Sequence, residues 1–271
     1  MPLPVIKLDQ GIHVMHLFFQ VDRVSWAELG TGESADARQR LADLVAANSN
    51  PSHPRITTYA NIGGKADFAF MIFAADLVEI GRLQRELETC FPPGTLLPVY
   101  SYLSVTELSE YQSSEEDVKQ RLQHAEKLAP DSPEFAARLA AECAKLKEYA
   151  HYRLYPELPD WEVMSFYPMN KRRSGADNWY LLDLATRKKL MGGHARVGRK
   201  YGGRVSQLIT GSVGIDDWEW GVTLVAHQLD ALKEIVYEMR FDEVSARYGD
   251  FGEFYTNIRL APEALWEYLK L

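Results

Sequence analysis

Two stretches of the 271-residue chain bring together side chains that could do chemistry. In the first, Val163, Ser165, Tyr167, Met169 and Lys171 alternate with Met164, Phe166 and Pro168, so a strand over this stretch puts a phenol and an ammonium on one face. A redox-active phenol beside a cation able to hold a carboxylate is a reactive pair. The same two residues are also ordinary on a wet face, and the pattern alone leaves both readings open. In the second stretch, Leu190, His194, Val197 and Tyr201 recur at helical spacing, so His194 interrupts a semi-apolar stripe. A lone histidine in such a place is usually a satisfied core residue. Gly192 and Gly193 just before it point further, because glycines inside a helix cost roughly 1 kcal/mol each relative to alanine. Close approach of a flat ring would compensate. With no second histidine or carboxylate at metal-ligand spacing nearby, a single axial imidazole suits a haem iron better than zinc.

Basic residues gather at Arg153, Lys171, Arg172, Arg173, Arg196, Arg199, Lys200 and Arg204, against a net charge of −8 for the chain. They form either a local carboxylate or phosphate site or a solvated rim of surface ion pairs. Gly211 and Gly214 lie between two expected strands and do not open a helix, which disfavours a phosphate-cradling loop.

The scaffold that must position these residues reads as two similar halves. A strand at 13–21, a helix at 34–47, strands at 56–62 and 66–74, a helix at 75–90 and a strand at 97–106 follow in order, with Gly63 and Gly64 as turn residues. This βαββαβ order suggests a ferredoxin-like half with an antiparallel sheet. Residues 113–147 are charged and alanine-rich at helical spacing, broken at 130–133, and read as an inserted helical hairpin. From Glu162 the order repeats, with strand 163–169, helix 179–200, strands 204–210 and 218–226, helix 228–240 and strand 251–259. The stretch 237–255 reads by itself as packing followed by a helix cap and loop. The expected organisation is an N-terminal half over 1–112, an insertion over 113–150 and a C-terminal half over 151–271, an α+β architecture whose halves could pack sheet against sheet.

Composition bounds the function classes. With 46% hydrophobic residues the chain can bury a large core, and its acidic balance argues against a general nucleic-acid binder. The start MPLPVIKLDQ lacks a basic segment followed by an apolar run, and no apolar stretch approaches the ~20 residues needed to span a bilayer. A cytoplasmic protein without a membrane span is expected. Cys90 and Cys143 lack CxxC spacing, so neither a disulfide framework nor a zinc site is suggested.

The strings YPMNKRR (167–173), NWYLLD (178–183), LMGGHARVGRKYGGRVSQLITGSVGIDDWEWGV (190–222) and YEMRFDEVSARYGDFGEFY (237–255) resemble the coproheme decarboxylases of the chlorite dismutase superfamily. The likeness is dense over 153–255 and extends more weakly to YSYLSVTELSEY (100–111). The resemblance implies a dimeric α+β barrel of two ferredoxin-like halves, assembled as a homopentamer. It implies that His194 is the proximal iron ligand and that Tyr167 is oxidised to a radical that takes hydrogen from a propionate. Lys171 would hold a reactive propionate, Met169 and Trp179 would line the porphyrin, Arg153 and Ser245 would anchor propionates, and Gln207 would lie above the iron. The implied reaction is hydrogen-peroxide-dependent decarboxylation of iron coproporphyrin III (coproheme) to haem b, with possible transient contact with a ferrochelatase.

Chlorite dismutases resemble the same scaffold but carry a distal arginine, and the uncharged Gln207 fits the decarboxylase branch better. No base role falls to His151 or His227. A chlorite dismutase or haem peroxidase with permanent haem, and a non-catalytic haem carrier or sensor, are the alternatives. The chain departs from relatives in its longer insertion and in Glu110, which stands where they carry asparagine. A carboxylate near the propionates is unfavourable, so either Glu110 points away or the local contacts differ.

Overall fold

The computed structural model describes residues 3–50 and 53–271. Strand β1 (His13–Val21), with sequence HVMHLFFQV, is buried at every position except Gln20, as befits a strand covered on both faces. Helix α1 (Arg23–Ala27), capped by Asp22, and α2 (Thr31–Ala47) lead to β2 (Arg55–Ile62) and β3 (Phe68–Ala74), joined through Gly63 and Gly64, both at positive φ. Helix α3 (Leu77–Thr89), capped by Asp76, and β4 (Leu96–Val105) complete the first half. Its strands pair in the order β4-β1-β3-β2, the ferredoxin-like arrangement.

Next come α4 (Glu115–Gln120), a π-helical turn at Arg121–Ala125, and α5 (Pro133–Leu154). Val118, Leu122 and Phe135 give this segment a small core of its own. The second half consists of β5 (Val163–Lys171), α6 (Leu184–Arg199), β6 (Val205–Gly211), β7 (Trp220–Ala226), α7 (Leu229–Met239), α8 (Glu243–Tyr248), β8 (Gly249–Phe251), β9 (Tyr255–Arg259) and α9 (Pro262–Leu269).

Three sequence expectations need correction. The helix expected from 179 begins only at 184, because Asp183 takes the cap position, accepting the Thr186 N–H, while Trp179 sits in a 3₁₀ turn. The single strand expected over 251–259 is two, β8 and β9. The break falls at Gly252, whose N–H donates to Pro168 O and whose α-carbon lies so close to Pro168 and Trp218 that a Cβ would collide with both. Helices α8 and α9 were not anticipated, although each carries a start signal: Asp242 accepts the Ser245 N–H, and Pro262 occupies the first turn of α9.

The two halves pack face to face, with residues of β1 and β3 meeting residues of β5 and β9 in one interior cluster. They also join edge to edge, Val105 of β4 opposite Gly211 of β6, and β2 residues 59–62 opposite β9 residues 256–259. With β5 paired to β7, the strands run in a ring, β7-β6-β4-β1-β3-β2-β9-β5 and back to β7. The β2–β9 junction pairs four residues on each side, whereas β4 meets β6 only through Val105 and Gly211, so among the described residues most of the outer β4 edge has no strand partner. Phe18, Tyr59, Phe73, Tyr102, Phe166 and Tyr255 fill the interior, and His16 stacks on Phe166 there with a ring separation of 4.2 Å.

With the interior packed by side chains, the outer faces carry the helices. Helices α2, α3 and α9 cover Leu17, Phe19, Phe70 and Ile72, with Trp266 of α9 stacked on Trp26 at 5.2 Å. On the second half, α7 lays Ala231, Leu232 and Ile235 over Val222 and Leu224. Helix α6 differs from its counterpart α2: α2 buries Ala37 and Leu41, whereas α6 buries only Gly198. Among the described residues no helix is long and apolar enough to cross a membrane.

Candidate functional site

The sheet register gathers the reactive side chains. Tyr167 lies opposite Val222 and Val222 opposite Ile209, while Ser165 lies opposite Leu224 and Leu224 opposite Gln207. Directly paired residues project to the same side of a sheet, as do residues two apart. Tyr167, Met169, Lys171 and Gln207 therefore share the outer face of the second half, beneath α6 and α7. Two surface hollows of about 250 and 340 Å³ lie elsewhere, both against Phe19, Glu88 and Pro98, and hold none of these residues.

Tyr167 is 5% exposed. Its ring stacks on Phe254 at 4.3 Å and leans on Phe251 at 6.0 Å. Among the described residues no hydrogen-bond partner holds its hydroxyl. Burial pushes the phenol up to about 12, with Arg240 pulling weakly the other way.

Lys171 ends β5 and is 9% exposed. Its ammonium sits over the Trp179 ring at 4.9 Å, a cation–π contact, and no carboxylate oxygen among the described residues comes within ion-pair distance. Burial pulls it down to about 8, against the opposing fields of Asp242 and Glu219. Trp179 is fixed in turn by Tyr248, edge-on at 5.2 Å, and by Tyr111 at 6.3 Å. Leu190 and Met191 of α6 pack onto the same cluster.

His194 faces Asp242, its Nδ1 2.9 Å from Oδ2. An Nδ1–H donated to the carboxylate leaves the Nε2 lone pair as the free ligand position. Asp242 is doubly committed, since Oδ1 accepts the Ser245 N–H at 3.0 Å and Oδ2 accepts the Ser245 hydroxyl at 3.2 Å. Burial pushes this carboxyl up, but the hydrogen bonds from His194 and Ser245 together outweigh it and hold the group below its ordinary value. A Cβ added at Gly192 or Gly193 would meet nothing within 4 Å, so no protein packing requires either glycine. One turn beyond His194, Gly198 meets Gln207, whose Nε2 reaches the Gly198 carbonyl at 3.5 Å.

The structure thus draws Tyr167, Met169, Lys171, Trp179, His194, Gln207 and Ser245 to the layer where the outer face of the sheet meets α6 and α8. Arg153 stands apart at the end of α5: its guanidinium reaches Glu107 O at 3.4 Å, and its Nε is buried without a partner. Glu110 turns to Arg187 of α6, 3.2 Å away, so its charge is met by a cation. Sequence reasoning missed Asp242, Glu219, Phe254 and Arg187. Only Asp242 left a local signal, as an aspartate three residues before Ser245 at a helix start.

These groups fit an iron porphyrin bearing carboxylates. Such a ligand would offer a carboxylate to the Lys171 ammonium, a metal to His194 Nε2 and a flat face to the helix backbone beside Gly193.

The family model for chlorite dismutase matches residues 34–260. A haem-binding protein from Thermus thermophilus is 37% identical, with 100% of this chain and 99% of that one covered and a TM-score of 0.79. Two variants of the chlorite dismutase from Candidatus Nitrospira defluvii, at 15% and 17% identity, superpose with TM-scores of 0.69 and 0.70, covering 97% of this chain and 98% and 97% of theirs. At that identity the likeness speaks for the fold, a large antiparallel sheet with flanking helices.

Proposed function

The chain belongs to the chlorite dismutase family, and from that premise we propose that it oxidatively decarboxylates two propionates of iron coproporphyrin III to vinyl groups, yielding haem b. The observation that carries this reading is the pairing, on one sheet face, of a buried phenol without a hydrogen-bond partner and a nearly buried ammonium without a carboxylate, both among the described residues. A carrier needs neither. A distal Gln207 in place of an arginine also favours a carboxylate substrate held by Lys171 over a chlorite-type oxyanion held above the metal.

Each step converts R–CH₂CH₂–COO⁻, H₂O₂ and H⁺ into R–CH=CH₂, CO₂ and two H₂O. Bound porphyrin iron with peroxide supplies the oxidising power. His194, oriented by Asp242, would hold the iron through Nε2. Lys171 holds a propionate carboxylate by a charge-assisted hydrogen bond. Because burial keeps Tyr167 protonated far above neutral pH, oxidation of the phenol would cost it an electron and its proton, and the neutral phenoxyl so formed would take a hydrogen atom from a propionate CH₂ and return to O–H. Met169 and Trp179 form apolar walls that exclude water; Ser245 and Arg153 are the remaining donors proposed for propionates, and to serve them the Ser245 hydroxyl must leave Asp242 and the Arg153 guanidinium must leave Glu107 O. Hydrogen peroxide is the proposed oxidant, the cytoplasm the proposed setting and a homopentamer the proposed assembly.

The test is to mix the protein with iron coproporphyrin III, titrate hydrogen peroxide and follow the porphyrin mass. Two successive losses of a carboxyl group ending at haem b are expected. Porphyrin that binds but stays intact would favour a carrier, and bleaching without decarboxylation would favour a peroxidase.

A further inference from the structure

Glu219 is a nearly buried carboxylate, 7% exposed, placed just before β7 against the end of β5. Its Oε2 accepts the backbone N–H of Lys171 at 2.9 Å, and its own N–H donates to Asn170 Oδ1 at 2.8 Å. Its carbonyl accepts the Ser212 N–H at 2.8 Å. The carboxylate is therefore tied to the residue whose side chain awaits a substrate carboxylate. Among the described residues only one cation comes within ion-pair distance of it, Arg173 Nη1 at 3.7 Å, on a side chain 65% exposed. The other charge facing Lys171 is Asp242 from the α7–α8 turn, and that carboxylate already accepts from His194 and Ser245. Tyr180, whose hydroxyl faces the Glu219 carboxylate, and Tyr248 are the neighbouring phenols, and Asp250, opposite Asn170 on β8, is exposed.

We propose that Glu219 is the positioning residue for Lys171, holding it in place through its backbone and in the ammonium form through its charge. Burial works against that charged form, and a carboxylate within the same low-dielectric pocket offsets it. A neutral amine could not hold a propionate. This role rests on the decarboxylase reading for its purpose, but the coupling between the two side chains stands without it.

The coupling can be measured on the free protein. Glu219→Gln retains an acceptor for the Lys171 N–H and removes the charge. The titration midpoint of Lys171 is read from pH-dependent labelling with acetic anhydride, quantified by peptide mass spectrometry. A fall of about one pH unit is expected, seen as about tenfold faster labelling below the midpoint. An unchanged midpoint in a variant with a native melting curve would overturn the proposal. Glu219→Met tests the same coupling with a different uncharged side chain: the Lys171 midpoint should again fall by about one unit. This second arm decides the matter if Glu219→Gln does not fold, and a midpoint that does not move would also overturn the proposal. Neither arm needs porphyrin, so a wild-type protein that binds iron coproporphyrin III without turning it over would remove the decarboxylase reading and leave this result intact.

Discussion

Replacing Tyr167 by phenylalanine should improve the fold slightly while ending the reaction. The ring is 5% exposed and stacked on Phe254 at 4.3 Å, contacts that phenylalanine keeps with almost no change in volume. The hydroxyl removed has no hydrogen-bond partner among the described residues. Burying a hydroxyl unpaired costs about 1–3 kcal/mol in proteins, and because the oxygen keeps some contact with solvent the recoverable part is about 0.5–1 kcal/mol. For a chain of this size that raises Tm by about 1–3 °C. Iron coproporphyrin III should bind unchanged, since neither His194 nor Lys171 is touched. Haem b should form no faster than from free porphyrin and peroxide. Circular-dichroism melts, absorbance titration and porphyrin mass together check the three parts. A Tm lowered by several degrees would mean that the phenol serves the fold, and haem b produced at the wild-type rate would refute its place in the reaction.

Lys171, pulled down to about 8 by burial, is an ammonium below that pH and a neutral amine above it. The kcat/KM for iron coproporphyrin III should therefore be level below about pH 7 and fall about tenfold per unit above 8, while kcat, reporting a lysine already paired with a carboxylate, falls only at higher pH. Lys171→Arg should abolish this basic limb, because a guanidinium stays charged throughout, and a limb that persists would assign it to another group. Gly192→Ala and Gly193→Ala should each stabilise α6 by about 0.5–1 kcal/mol, but only Gly193→Ala, nearer the His194 face, should weaken porphyrin binding, at least about tenfold, about 1.4 kcal/mol; unaltered affinity of Gly193→Ala in a titration would show that this glycine does not admit the ring. His16 is held neutral, its pKa pulled down to about 3 by burial, so the unfolded chain binds the extra proton as pH drops below 6.5. Its contribution to stability should be fully present above pH 6.5 and lost at up to about 1.4 kcal/mol per unit as pH falls toward 3. Denaturant melts of His16→Gln should show a flatter acid slope than wild type, and equal slopes would refute this.

What could be read from the sequence was whatever neighbouring residues decide. The alternation over 163–171 placed Tyr167 and Lys171 on one face, and the runs at 13–21 and 68–74 are strands because their composition suits burial on both sides. The approximate extents of α2, α3 and α7 followed from helical spacing. The contacts that build the site were not legible, because they join distant positions: His194 to Asp242 across 48 residues and Glu110 to Arg187 across 77. Ring closure has the same origin, since nothing in β2 announces that its free edge will meet β9. Helices α8 and α9 were missed for a different reason. Each is short, so an apolar period has too few repeats to stand out, and only the capping residues marked them.

The placement of α9 has a consequence for how the protein is made. Leu265, Trp266 and Leu269 belong to the same buried cluster as Trp26, Ala37 and Leu41, and Arg23 donates to the Leu269 carbonyl across 246 positions. A ribosome releases the N-terminal strands first, at about 5–20 residues per second, so Trp26 has no stacking partner until nearly the whole chain has been translated. For a period on the order of 10 s the patch that α9 covers, which includes Trp26, Phe68 and Phe91, stays open even after α2 and α3 are in place. Chaperone capture during synthesis should therefore fall on this patch, and a stop codon placed just before residue 262 should leave a chain that precipitates although all the residues proposed for catalysis are present.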